Sequence, residues 1–171
     1  MKLGFLTALA LAIATPVAAQ ELTPGNGFTS VNTITIAAAP DKVWAVLIRP
    51  AAWWDPAHSY SNDSANLTID ARAGGCWCET LANGGSVEHM RVLFVQPGKM
   101  IRFAGGLGPL QEMPIAGVMT FTLKPLGART ELAITYKVSG QEGLGALAKQ
   151  VDAVLAGQWA RLKAAAEKLG S

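Results

Sequence analysis

The side chains of this sequence that could do chemistry gather around one short segment, Cys76-Trp77-Cys78-Glu79. In a β-strand, alternate residues point to opposite faces, so Trp77 and Glu79 share one face, with the two cysteines on the other. If Trp77 is buried, Glu79 enters apolar space as well. A carboxylate there must find a partner, take up a proton or face a water-filled opening. The candidate partners on neighbouring strands are His89, Arg91 and Arg102.

Two interpretations of Glu79 follow from this placement. In the first, Glu79 is a polar anchor or a general base inside a ligand cavity, working with a histidine or with Arg91. In the second, it forms a salt bridge at the rim of the fold. The rim salt bridge is the favoured interpretation, because buried ion pairs are uncommon.

The two cysteines are separated by a single residue. In a regular strand, side chains at that spacing lie about 6.5–7 Å apart, whereas a disulfide needs Cβ atoms within about 4.5 Å. A Cys76–Cys78 disulfide therefore requires a bulge, which the preceding Gly74-Gly75 could provide. We rank free, small apolar side chains first, a strained or redox-active disulfide second and a metal site third, because two thiolates alone are a poor zinc site.

The histidines do not form a recognisable catalytic or metal motif. His58 follows Trp53-Trp54-Asp55-Pro56 and is predicted to lie at a cavity opening near Tyr60, while His89 lies in the middle of a strand. The sequence contains no nucleophile-elbow, phosphate-loop or zinc-protease signature. We therefore expect neither a metal nor a cofactor.

Large apolar side chains are abundant enough to line a binding cavity. Trp53, Trp54, Trp77 and Trp159 are flat and wide, which suits a ligand site. The alternative is that they simply fill the core. The same two interpretations apply to Phe103, Met113, Met119 and Phe121.

A long C-terminal helix is the element around which the rest must be arranged. Between Leu144 and Leu169 apolar residues recur in steps of three and four, which predicts one stripe of an α-helix about 40 Å long. Gly170 follows, at a position that helix C-termini favour. A helix this long with one apolar side must pack against a large apolar surface.

The preceding chain predicts the sheet that supplies this surface. Thr33–Ile36 alternates as a strand, Pro40 begins a helix that Pro50 ends, and residues 51–56 allow another turn or two of helix. Six further strands are separated by turn residues at hairpin intervals, which favours antiparallel pairing. They are predicted at 67–72, 77–81, 87–96, 100–104, 118–123 and 130–138. The fold class is therefore α+β, with a seven-stranded sheet and two short helices after its first strand.

The N-terminus has the pattern of a secretory signal peptide. Lys2 precedes the apolar segment Leu3–Ala14, and small residues precede a cleavage site after Ala19. The apolar segment is shorter than the 18–20 or so residues that span a bilayer. We predict a signal peptide at 1–19, a disordered lead-in at 20–30 and one domain at 31–171. The predicted location is periplasmic or secreted, with no transmembrane segment in the mature chain.

The charge balance argues against nucleic acid as a partner. The formal net charge is +2 and charged residues make up 15% of the chain. Nucleic-acid binding would require clustered Lys and Arg, and no such cluster is visible.

Six segments in this order carry a family resemblance. They are Ile36-Ala37-Ala38-Ala39-Pro40-Asp41-Lys42-Val43-Trp44, Trp53-Trp54, Gly74-Gly75-Cys76-Trp77-Cys78-Glu79, Val92-Leu93-Phe94-Val95-Gln96-Pro97-Gly98-Lys99, Phe121-Thr122-Leu123 and Trp159-Ala160-Arg161-Leu162. The chain resembles the SRPBCC superfamily of START lipid-transfer domains, polyketide cyclases and plant allergens, and most of all its heat-shock ATPase activator-like members. The resemblance implies a helix-grip fold, in which a curved antiparallel sheet wraps around the long helix and encloses a ligand tunnel.

This resemblance implies three functions, and the scaffold alone does not choose between them. The first is an exported binding protein for a hydrophobic small molecule such as a lipid, sterol-like or polyketide-like compound. The second is a cyclase, dehydratase or hydrolase-like enzyme that uses Glu79 with His58 or Arg91. The third, a regulator of a chaperone ATPase, is disfavoured because an exported protein would not meet a cytosolic ATPase. The expected ligand-binding residues are Trp53, Trp54, His58, Tyr60, Trp77, Glu79, Arg91, Phe103, Met119, Phe121 and Trp159.

Overall fold

The computed structural model describes residues 25–170, so the predicted signal peptide and the first part of the lead-in lie outside the described residues. Seven strands form one antiparallel sheet in the order β1-β7-β6-β5-β4-β3-β2. The strands are β1 (Gly27–Ile36), β2 (Leu67–Ile69), β3 (Cys76–Thr80), β4 (Ser86–Gln96), β5 (Met100–Ala104), β6 (Ala116–Leu126) and β7 (Arg129–Ser139). The predicted seven-stranded α+β architecture is confirmed.

The first strand begins earlier than the sequence predicted. Residues 27–30 were assigned to a disordered lead-in, but β1 pairs with β7 along its whole length, from Gly27 opposite Ser139 to Ile36 opposite Thr130. Phe28 is buried and its ring meets Tyr136 edge-on, with 6.2 Å between ring centroids. This packing, rather than local composition, places the Gly- and Thr-rich segment in the sheet.

Strand alternation builds the core on the concave face. In β7 every second residue from Thr130 to Val138 is buried, and β6 does the same from Gly117 to Leu123. The residues between them are half-buried or exposed on the outer face. One face of the sheet is thus apolar and needs a second layer to cover it.

One α-helix and three 3₁₀ turns lie between β1 and β2. Helix α1 (Pro40–Leu47) has Pro at its first position and Asp41 in its first turn, and it buries Val43, Val46 and Leu47. The predicted second helix takes the form of separate 3₁₀ turns at Pro50–Ala52 and Pro56–His58. A further 3₁₀ turn at Ser64–Asn66 leads into β2.

The long C-terminal helix covers the concave face. A 3₁₀ turn at Leu144–Leu147 continues into α2 (Ala148–Gly170). Its end is fixed to β1, because Glu167 accepts a hydrogen bond from the Ala37 amide at 2.9 Å and Lys163 donates to the Thr35 carbonyl at 2.5 Å. Within the described residues, no helix is both long enough and apolar enough to cross a membrane.

The apolar stripe of α2 is buried only in part. Leu155, Trp159, Leu162 and Ala166 are buried in the core. Toward the helix start, Val151 and Val154 are only partly covered, as is Leu147 in the preceding turn. Leu169, the last residue of the predicted stripe, is 50% exposed, because the sheet does not extend that far.

Cys76 and Cys78 form a disulfide, so the prediction of free cysteines is wrong. Their Cα atoms are 5.3 Å apart, closer than in a regular strand. The β3–β4 register shifts at this point: Trp77 pairs with Met90 and Cys78 with Glu88, so His89 is an extra residue on β4. The bulge therefore lies on β4, opposite the disulfide, and not at Gly74-Gly75 next to the cysteines.

Candidate functional site: a cavity beside a buried Glu–His pair

A cluster of six aromatic rings fills the centre of the fold between the sheet and α2. Trp53 contacts three other tryptophans, with ring centroids 5.5 Å from Trp54 and 5.9 Å from both Trp77 and Trp159. Phe103 and Phe121 complete the cluster, since Phe103 contacts Trp77 at 5.6 Å and Phe121 contacts Trp159 at 5.3 Å. Edge-on and tilted contacts of this kind stabilise packing beyond the area they bury. Of these six rings, only that of Trp54 lines either of the two cavities described below for residues 25–170.

Six of the predicted ligand-binding residues therefore belong to the core. Each is buried, and none lines either of the two cavities described below. They are Trp53, Trp77, Phe103, Met119, Phe121 and Trp159. The rings among them contact one another or other rings of the cluster, with centroids 5.3–6.1 Å apart. The alternative interpretation, in which the aromatics fill the core, describes these residues.

A cavity of about 660 Å³ opens beside the cluster, at the start of α2. A volume of 300–1,000 Å³ or so is usual for small-molecule sites. Its walls come from three segments, namely the loop after α1, the loop between β5 and β6, and the first turns of α2. The predicted ligand-binding residues Trp54, His58 and Tyr60 lie in its wall. The other apolar wall residues are Ala57, Leu107, Pro109, Leu110, Met113, Leu147, Val151, Val154 and Leu155.

The β5–β6 loop is held in place by Tyr136. The Tyr136 hydroxyl donates to the Gly105 carbonyl at 3.1 Å and accepts from the Leu107 amide at 3.4 Å. Burial raises the pKa of Tyr136 to about 12, so it remains a donor. A Cβ on Gly117 would lie 2.1 Å from the Gly105 carbonyl oxygen, so this approach requires glycine. The loop is thus an anchored wall of the cavity, with a 3₁₀ helix at Gly108–Glu112.

A smaller cavity of about 310 Å³ lies next to the first, and the two share Leu110 and Met113. Its wall includes His89, Met90 and Gly105. The bulge in β4 makes this possible, because it leaves His89 and Met90, consecutive residues, both buried. Regular alternation would have sent one of them to the outer face.

Glu79 is buried behind this cavity and is fully hydrogen-bonded. Its side chain has no exposed surface, and its Oε2 lies 2.9 Å from His89 Nε2. The Tyr60 and Ser61 amides donate to its two oxygens at 3.1 and 2.5 Å. The inward orientation predicted for Glu79 is observed, and His89 is the partner among the three candidates. The favoured rim salt bridge is wrong. The backbone hydrogen-bond donors, and the bulge that turns His89 inward, together offset the free-energy cost of burying the carboxylate.

The electrostatics of the pair define its protonation state. Desolvation acts to raise the pKa of Glu79, but the hydrogen bonds from Ser61, Tyr60 and His89 outweigh it and hold that pKa below 4.5. Burial lowers the pKa of His89 below 6.5, against the opposing effect of Glu79. At neutral pH the pair is thus a carboxylate and a neutral imidazole. Since a carboxylate only accepts hydrogen bonds, Nε2 carries the imidazole proton and Nδ1 is left as the basic nitrogen.

The two arginines considered as partners lie elsewhere. Arg91 is on the outer face, where it pairs with Glu88 at 2.6 Å and donates to the Gly74 carbonyl. It does not reach Glu79, and it lines neither of the two cavities described above. Arg102 donates to Thr120 at 3.1 Å and lies over the ring of Phe94. Both side chains leave the cavity because they alternate with inward-facing neighbours.

Sequence reasoning missed most of the cavity wall. Leu107, Leu110, Val151 and Val154 looked like ordinary loop or core residues. Gln158 was also missed: it is buried in α2 and accepts a hydrogen bond from the Asp55 amide at 2.8 Å, which fixes the segment that carries Trp54 to the helix. A glutamine on an otherwise apolar stripe was the available signal. Within residues 25–170, no group of three or more His, Cys, Asp or Glu side chains could hold a metal ion.

Comparison with known proteins supports a family and a fold. The chain resembles the Aha1 dimer from Colwellia psychrerythraea (20% identity, TM-score 0.60, 82% of this chain and 96% of that one). Protein MLL2253 from Mesorhizobium loti is similar too (19%, TM-score 0.62, 82% and 98%). So is a Thalictrum norcoclaurine synthase point mutant in complex with a transition-state analogue (11%, TM-score 0.57, 86% and 98%). No curated protein sequence matches significantly.

These identities establish the fold alone, whereas the family rests on a sequence match over most of the chain. Residues 28–167 match the family model described as polyketide cyclase / dehydrase and lipid transport. This match covers the sheet, the aromatic cluster, the Glu79–His89 pair and nearly all of α2. The chain therefore belongs to the polyketide cyclase/dehydrase and lipid-transport family of the SRPBCC superfamily.

Proposed function

We propose that this protein binds a hydrophobic small molecule in the 660 Å³ cavity after export from the cytoplasm. The observation that carries the proposal is the apolar cavity at the start of α2, beside a core that is otherwise tightly packed. Apolar side chains that fail to pack against one another lose stability. Valines and leucines left partly uncovered around a cavity of this size are therefore consistent with a wall that a ligand covers.

Family membership supports the same role. The matching family is described by cyclase, dehydrase and lipid-transport activities, which share apolar organic ligands. A lipid, a sterol-like or a polyketide-like compound are the candidates. Export is supported by the signal-peptide pattern of residues 1–19, and a carrier in the periplasm or outside the cell would need no cofactor.

The binding test uses a neutral apolar dye, N-phenyl-1-naphthylamine, whose fluorescence rises in apolar surroundings. We expect saturable binding by the purified protein without its leader. Val154→Trp should abolish it by filling the cavity, since Val154 lies in the wall and is only partly covered. The matched control is Ala153→Trp on the neighbouring, exposed position of the same helix. Equal binding by the two variants, or none by the unmodified protein, would contradict the proposal.

A second candidate function is acid–base catalysis, and the Glu79–His89 pair is the observation that favours it. A carboxylate that orients a histidine whose second nitrogen is basic is a recurring arrangement for proton transfer. His89 would be the base, and Glu79 would position it, because both Glu79 oxygens are already occupied. This differs from the sequence-based hypothesis, which paired Glu79 with His58 or Arg91.

The enzyme hypothesis has its own test. 2-Tetralone is an apolar ketone that loses a proton from the carbon next to its carbonyl, and deuterium uptake at that carbon can be followed by NMR in D₂O. Catalysis by the unmodified protein that His89→Gln abolishes would support an enzyme. Exchange at the buffer rate, despite dye binding, would leave the carrier function alone.

A further inference from the structure

The charges around the two cavities restrict the kind of ligand they can hold. Neither wall contains a lysine or an arginine. The carboxylates in them are Glu112, which has no ion-pair partner among the described residues, and Glu88, which Arg91 neutralises from the outer face. The buried carboxylate of Glu79 adds negative charge behind His89. An anionic head group would therefore find no lysine or arginine in either wall, and the buried Glu79 carboxylate behind His89 would repel it.

The polar group best placed to meet a ligand is the ring of His89. It is 6% exposed and lies in the wall of the smaller cavity. Glu79 occupies Nε2, so Nδ1 is the ring nitrogen that remains, and it is an acceptor because the imidazole is neutral. An acceptor in a cavity wall selects for a ligand that carries a hydrogen-bond donor, since a ligand without one would cover the nitrogen and leave it unpaired.

The larger cavity is positioned to hold the apolar remainder of such a ligand. The ring of Tyr60, which lies in the wall of the larger cavity, is 5.8 Å from the ring of His89, and Leu110 and Met113 belong to both walls. Tyr60 is itself engaged with the β5–β6 loop, since its hydroxyl donates to Gln111 at 3.2 Å. The Tyr60 ring, rather than its hydroxyl, is therefore available to contact a ligand that extends from one cavity to the other.

From these contacts we infer that the site selects uncharged apolar molecules bearing a hydroxyl group, with the hydroxyl donated to His89 Nδ1 and the apolar body in the larger cavity. Glu79 acts as the positioning residue that holds the imidazole in the accepting tautomer. The inference rests on the proposed binding function and adds the ligand class: long-chain alcohols or phenols, in preference to fatty acids or phosphate-bearing lipids.

The test compares three probes of equal chain length as competitors of N-phenyl-1-naphthylamine at pH 7.5. 1-Decanol has a donor and no charge, 1-methoxydecane lacks the donor, and decanoate carries a negative charge. We expect 1-decanol to displace the dye at a concentration about ten-fold lower than either of the others, as loss of one buried hydrogen bond implies. Equal displacement by 1-methoxydecane, or stronger displacement by decanoate, would overturn the inference while leaving the binding function intact. If the dye itself does not bind, the binding function fails first.

The role of His89 is isolated by two substitutions. His89→Leu should reduce the preference for 1-decanol over 1-methoxydecane to less than about two-fold, with binding of the ether unchanged. Lys149→Leu, which alters an exposed residue of α2 that lines neither cavity, should keep the preference. A preference that survives His89→Leu would refute the assignment. Because His89→Leu leaves the buried Glu79 without its partner and can fail to fold, the comparison of probes on the unmodified protein stands as the independent test.

Discussion

The two halves of α2 use the same apolar stripe for different purposes. In the C-terminal half, Trp159 belongs to the aromatic cluster, and Leu162 and Ala166 are buried in the same core with almost no exposed surface. In the N-terminal half, Val151 and Val154 face the cavity and remain partly uncovered. The periodicity of the two halves is identical. What differs is the surface that each half faces. The C-terminal half faces large aromatic rings, whereas the N-terminal half faces the β5–β6 loop across the cavity. The C-terminal half of α2 therefore stabilises the fold, whereas the N-terminal half borders the cavity.

The largest expected effect is a difference in the free energy of unfolding between substitutions in the two halves of α2. Trp159→Ala removes a buried side chain in contact with Trp53 and Phe121, and should lower the free energy of unfolding by about 3–5 kcal/mol. Val154→Ala should cost less than about 1 kcal/mol, because the cavity already deprives Val154 of contacts. Urea denaturation of both variants measures the difference. Similar losses at the two positions would show that the two halves are packed alike.

Glu79 should behave as part of the stable region, although it borders the cavity. Glu79→Ala leaves the Tyr60 and Ser61 amides and His89 without their acceptor, and should cost about 3 kcal/mol. The control is Glu88→Ala, which removes an exposed ion pair with Arg91 and should cost less than about 1 kcal/mol. A small loss for Glu79→Ala in the same denaturation experiment would mean that water reaches the carboxylate.

The disulfide should have an intermediate effect, localised on the cavity side. It closes a very short loop, so Cys76→Ala/Cys78→Ala should lower the free energy of unfolding by about 1–2 kcal/mol. Because the bulge that presents His89 lies opposite the disulfide, hydrogen exchange should quicken in β3 and β4 more than in β6 and β7. Uniform quickening across the sheet would argue that the disulfide does not stabilise the bulge in particular.

The smallest expected effect is a dependence of stability on pH. The pKa values of His89 and Glu79 are both lowered by folding, so in each case the unfolded chain binds the proton first as the pH falls. Stability should therefore decrease below about pH 6.5, the ordinary value for histidine, and decrease further below 4.5. His89→Gln should flatten the first part of this decline. A decline that is unchanged in His89→Gln would place its origin elsewhere.

Sequence patterns predicted the architecture well because they report which face of each element is buried. They placed Glu79 inward from its alternation with Trp77, and all seven strands from turn residues and period. They could not predict the cavity, since an apolar residue beside a cavity and one in a packed core have the same chemistry. Val154 and Leu162 illustrate this: they share the stripe, yet only one is fully buried.

The sequence patterns also could not predict the local irregularities of the strands, namely the bulge in β4 and the disulfide. The bulge at His89 breaks the alternation that sequence reasoning relies on, and it depends on how β4 pairs with β3. The disulfide was not the favoured prediction for the same reason, because regular strand geometry keeps Cys76 and Cys78 too far apart. Sites at which a local rule fails are often those that carry function, and here the failure presents a histidine to a cavity.

The most direct test of this account is native mass spectrometry of the protein recovered after export from cells, with and without Val154→Trp. The account predicts that the unmodified protein carries an added mass, released by organic solvent as an uncharged apolar compound, and that the variant carries none. An unmodified protein without added mass that binds neither N-phenyl-1-naphthylamine nor 1-decanol would contradict the claim that the open end of the fold is a ligand site.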